Sequence, residues 1–69
     1  MDKIILSARQ GEALKLLAEG KSIADISLEL GVSYSRAINI LNEILIKSGL
    51  KSRKELLANA KTLDFEVRE

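Results

Sequence analysis

SIADISLELGVSYSRAINILNEILIKS, residues Ser22 to Ser48, decides the fold, and its hinge is Leu30-Gly31-Val32-Ser33. Ser22 can accept a hydrogen bond from the free N–H groups of a following turn, with Asp25 three residues on as a box-like partner. Ile23, Ile26 and Leu30 then recur at helical spacing. Gly31 is placed to leave the helix, since it takes the positive φ of a helix C-terminus without a Cβ clash. Ser33 restarts the chain as a second N-cap. From there to Ser48 no Gly or Pro intervenes, and Ala37, Leu41, Ile44 and Ser48 fall on one side of a helix roughly 22 Å long. Ser27 is small where the two helices must approach, while Ile26, Leu30, Val32, Ala37 and Ile40 fill their shared interior. Two helices joined by a tight turn make a helix-turn-helix, whose second helix is shaped for the major groove.

The flanks extend this unit into a four-helix, all-α domain. Ser7 and Gln10 form a capping-box start for a first helix that Gly20 ends. Gly11 costs up to about 1 kcal/mol relative to Ala in a helix interior, less in a first turn, and the sequence offers no function for it. Gly49 closes the long helix and Leu50 folds back onto the core. Ser52 and Glu55 open a fourth helix expected to reach about Lys61, with Leu56, Ala60 and Leu63 on one face and Leu57 and Ala58 to its sides. The chain is read as a single domain, residues 1–69, ordered over about 4–61. Residues 62–69 alternate weakly around Leu63, Phe65 and Val67, a pattern that fits a short strand or a frayed helix end, but an acidic, disordered tail is the expected state.

Composition narrows the chemistry. Neither cysteine nor histidine occurs among the 69 residues, which removes disulfides, thiolate and histidine metal sites, and histidine acid–base chemistry together. No metal, cofactor or catalytic residue is expected, and enzyme function is the poorest of the readings. No apolar run is long enough for a membrane span, and Met1-Asp2-Lys3 precedes only three apolar residues, so a cytoplasmic location is expected. The net charge of +1 says little, but its placement says more. Lys47, Lys51, Arg53, Lys54 and Lys61 are opposed in their segment only by Glu55.

Leu6-Ser7-Ala8-Arg9-Gln10-Gly11-Glu12-Ala13-Leu14, Leu17-Ala18-Glu19-Gly20-Lys21-Ser22, Ile26, Leu30-Gly31-Val32-Ser33, Ile44, Lys47 and Gly49-Leu50-Lys51-Ser52-Arg53 together resemble the LuxR/GerE-type DNA-binding domain. The resemblance covers Leu6 to Ala60. It implies a bacterial four-helix transcription regulator, with the third helix in the major groove and the fourth in a homodimer contact. No upstream sensing domain fits before Leu6, so the stand-alone GerE type is the expected organisation. Two departures stand out. Arg36-Ala37-Ile38 replaces the family's usual Thr-Val-Lys, and Ile40 replaces its histidine, leaving the recognition face neutral.

Ser35, Asn39, Asn42 and Ile46 project outward from the third helix, with Ile38 at the flank. Asn can pair with the N6 and N7 edge of adenine, and an apolar side chain can meet the thymine methyl. Ser35, Ile38, Asn39 and Asn42 are therefore the candidate base contacts. Ser33, Tyr34, Arg36, Lys51, Ser52 and Arg53 are the candidate phosphate contacts, because hydroxyls, cations and helix N-termini suit phosphate geometry. Leu57, Ala58 and Lys61 are the candidate dimer contacts. The expected function is a homodimeric, sequence-specific regulator bound to double-stranded DNA, with RNA polymerase or another regulator as a further partner. The alternative is a protein–protein adaptor that uses the neutral face, with Ile38 and Ile46 as its contact.

Overall fold

The computed structural model describes residues 3–68; Met1 and Asp2, ahead of the apolar lead-in, and Glu69, the last of the expected acidic tail, lie outside them. Four helices and two short strands follow in the order β1 (Ile4–Leu6), α1 (Ala8–Ala18), α2 (Ile23–Leu30), α3 (Tyr34–Ser48), α4 (Arg53–Asn59) and β2 (Phe65–Val67). The structure is thus mostly helical with a small two-stranded sheet, compatible with a small helix-turn-helix domain.

The expected caps are present. Ser7 Oγ accepts from Gln10 N–H while Gln10 Oε1 accepts from Ser7 N–H, a complete capping box. Ser22, Ser33 and Ser52 each accept from the N–H three residues on, at Asp25, Arg36 and Glu55. Glu55 reaches back one residue further than a capping box requires, to Lys51 N–H rather than Ser52. Gly31 and Gly49 stand in the left-handed region at φ 69° and 77°, ending α2 and α3. A Cβ on Gly31 would meet nothing within 4 Å, so the constraint there comes from the backbone alone.

α1, α2 and α3 pack mutually around one core, and α4 closes it against α3. Leu6, Leu14, Ile26, Ile40, Leu41, Ile44 and Leu56 are its largest fully buried side chains. Each contributes about 1.5–3 kcal/mol relative to exposure. Ala13 and Ala37 are buried where larger side chains would hold α1 and α3 off their neighbours. Ser27, as its size requires, is buried, and its hydroxyl donates to Ala24 O at 2.7 Å. Ser48 reaches only the edge of the core, and its hydroxyl donates to Leu45 O. Among the described residues no helix is long and apolar enough to cross a membrane.

Both ends of the domain depart from expectation. α4 stops at Asn59 rather than near Lys61, because Asn59 O accepts from both Thr62 and Leu63 N–H and turns the chain. The tail is not disordered: Phe65–Val67 is a strand, paired in parallel with β1 in the register Ile4↔Phe65, Ile5↔Glu66, Leu6↔Val67. Ile4 N–H donates to Asp64 O at 3.2 Å and Arg68 N–H to Leu6 O at 2.8 Å. β2 also lies on α1, and Gly11 is why it can: a Cβ there would fall 2.5 Å from Val67 Cγ2 and 3.6 Å from Phe65 Cε2. The glycine without a function in the sequence is the seat of the C-terminal strand.

Candidate nucleic-acid interface

α3 is fixed from three sides. Ala37, Ile40, Leu41 and Ile44 face the core, Gly31 sets its angle to α2, and a polar link ties its second half to the start of α1. In that link the buried Gln10 donates through Nε2 to Glu43 Oε1 at 3.0 Å and accepts through Oε1 from Lys47 Nζ at 2.8 Å. One side chain therefore serves both the α1 cap and the α1–α3 contact. Lys47, counted in the sequence with the basic cluster, is engaged at this internal contact.

Away from the core, Ser35, Asn39 and Asn42 are all exposed on the outer face of α3, and Ile38 is half-buried beside them. Seven residues separate Ser35 from Asn42, or about 10 Å along the axis, which matches about three steps of a DNA strand. Asn39 and Asn42 make no side-chain hydrogen bond to another described residue, so their amide donors and acceptors are free for a base edge. Ile46, one turn beyond Asn42 and 81% exposed, extends the same face as an apolar end.

The candidate phosphate contacts fall in two places. Ser33, Tyr34 and Arg36 surround the N-terminus of α3, and Lys51, Ser52 and Arg53 surround that of α4; all six are exposed. Ser33 and Ser52 hydroxyls already accept from their helices' N–H groups, so each retains an O–H to donate. Arg36, Lys51 and Arg53 take part in no ion pair among the described residues. Leu57 and Ala58 on α4 and Lys61 in the turn that follows it are exposed and border, with Ala18 and Glu19, an open cleft of about 400 Å³. Residue spacing alone had not indicated the role of Gln10 in orienting α3; its position in the capping box offered a complete local explanation.

No family model matches the chain, and no solved structure matches it. The chain is similar to the uncharacterized transcriptional regulatory protein YvfU of Bacillus subtilis (strain 168), with 41% identity over 54 residues. The match takes in 78% of this chain and 27% of that protein, so the chain spans only about a quarter of the relative's length.

Proposed function

We propose that this chain is a sequence-specific, double-stranded-DNA-binding unit of a transcription regulator, of the LuxR/GerE helix-turn-helix kind. The observation that carries the reading is the outer stripe of α3, with Ser35, Asn39 and Asn42 exposed on a helix held rigidly through Ala37, Ile40, Leu41 and Ile44. Similarity to a protein named a transcriptional regulator supports it. α3 enters the major groove; Asn39 and Asn42 meet base edges and Ile38 a thymine methyl. The two helix N-termini, with Tyr34, Arg36, Lys51 and Arg53, grip phosphates on either side and set the docking angle. A homodimer through Leu57 and Ala58 of α4 and Lys61 just beyond it brings two such helices onto one site, with RNA polymerase or another regulator as a further partner.

A second reading has its own observation. Ile46 and Ile38 give the stripe an apolar edge, which suits an adaptor that docks this face on another protein. Titration against duplex DNA at two salt concentrations separates the two. Phosphate neutralisation releases counterions and makes affinity fall steeply with salt, whereas an apolar protein contact does not. Absence of salt-dependent binding to any duplex would sink the DNA reading.

A further inference from the structure

Leu57, 54% exposed, stands between two clefts of different character. The cleft on the Ala58 side carries one carboxylate, Glu19, and one ammonium, Lys61. Two copies related by a two-fold axis can set Lys61 of each against Glu19 of the other, so that side is self-complementary. On the other side an open cleft of about 560 Å³ runs between the end of α1, the start of α2 and α4. Leu17, Ile23 and Leu41 floor it, and Leu57 forms a wall. Its volume falls within the range of about 300–1,000 Å³ common to preformed binding clefts.

Every charged side chain that lines this second cleft is cationic. Lys21, Arg53 and Lys54 line it, no carboxylate does, and none of the three is held in an ion pair among the described residues. A DNA backbone accounts for the cations but brings nothing apolar to cover an aliphatic floor. A second copy accounts for the floor but sets cation against cation, which is strongly unfavourable across an interface. The occupant has to be anionic and apolar together.

We propose that this cleft docks an acidic amphipathic segment of another protein. Large apolar side chains of the segment fill the floor beside Leu57, and Asp or Glu residues on its flanks pair with Lys21, Arg53 and Lys54. The proposal does not rest on the DNA reading, since Lys21 and Lys54 belong to neither the base set nor the phosphate set. Where that reading holds, Arg53 is shared, and the acidic segment and the duplex weaken each other's binding reciprocally.

The test uses the full chain and a synthetic amphipathic peptide with leucines at helical spacing flanked by glutamates, followed by methyl NMR and fluorescence anisotropy. Saturable binding should shift the methyls of Leu17, Ile23, Leu41 and Leu57, and replacing the peptide's leucines by alanines should abolish it. Lys21→Glu with Lys54→Glu should weaken the acidic peptide at least about tenfold and create binding of a lysine-flanked peptide, while unchanged core methyl dispersion shows the variant folded. Shifts confined to other surfaces, equal affinity for the alanine peptide, or indifference to the double reversal would overturn the proposal. So would the methyls of Ile23 and Leu41, which line this cleft and not the one on the Ala58 side, shifting with protein concentration alone or with duplex DNA, which would give the floor to a second copy or to nucleic acid. A negative duplex titration leaves these outcomes untouched.

Discussion

The effect of Gly11→Ala should change sign with the identity of Val67, which lies 56 residues away along the chain but touches it in space. On a solvent-facing helix the added methyl stabilises by up to about 1 kcal/mol. Here the built Cβ lies 2.5 Å from Val67 Cγ2, against an optimum carbon–carbon separation of about 3.5–4.0 Å, so roughly 1 Å of overlap has to be relieved. Twisting Val67 off its rotamer costs about 0.5–1.5 kcal/mol, and overpacking in general about 1–3 kcal/mol. Val67 is 44% exposed at the end of a short strand, so lifting the strand holds the cost to about 2 kcal/mol, the middle of that range. The net expectation is a loss of about 1 kcal/mol, or about 4–8 °C in Tm for a domain of this size. In a Val67→Ala background the overlap disappears and Gly11→Ala should instead stabilise. Denaturant unfolding of the four chains at matched m-values gives the cycle, with a coupling of about 2 kcal/mol expected. Amide exchange at Arg68, whose N–H donates to Leu6 O, should speed up selectively in the Gly11→Ala single variant. Stabilisation by Gly11→Ala in the otherwise native chain, or the same effect in both backgrounds, would refute the packing argument.

Gly31→Val should cost more than 1 kcal/mol through backbone strain, since φ is 69° and an added Cβ meets nothing within 4 Å; an unchanged denaturation midpoint would contradict the left-handed turn. Gln10→Glu places a carboxylate against Glu43 and should lower stability at neutral pH, with recovery in the Gln10→Glu, Glu43→Gln pair; no recovery would show that the link does not hold α1 to α3. Lys51→Ala or Arg53→Ala should weaken all duplexes alike and reduce the salt slope by about one unit, whereas Asn39→Ala should cost about 1–3 kcal/mol on the preferred site and relax selection at one base pair. Identical profiles for the two classes of variant would remove the distinction between gripping and reading. Leu57→Glu should abolish association measured by sedimentation with and without DNA; unaltered stoichiometry and affinity would place the dimer contact elsewhere.

The helices were legible because their signals are local. Each N-cap serine is followed three residues on by the N–H it receives, and Gly31 and Gly49 announce helix ends through a conformation that other residues adopt at a cost. What was hidden depends on partners far apart in the chain. The weak alternation around Phe65 and Val67 is too short to favour a strand over a disordered tail, and its partner Ile4–Leu6 lies at the opposite end of the sequence. Gly11 looked like a weak point in a helix for the same reason: the atoms that need its missing side chain belong to β2. On α3 the helical wheel separated Ala37, Leu41 and Ile44 from Ser35, Asn39 and Asn42 without help from the structure. It could not separate Lys47 from the free cations, because the acceptor that holds it is on α1.

The parallel sense of β1 and β2 gives this small domain a mechanical character. Tension drawn backward from Ile4 and forward from Val67 slides the two strands past each other lengthwise, so the ladder bonds are loaded together in shear instead of parting one by one. β1 packs on both α1 and α3, and β2 on α1. A pull applied at the two ends is therefore borne first by the strand pair and by the Gly11–Val67 contact, and from there it passes directly into α1 and α3, the two helices on which the strands lie, before it reaches α2 or α4.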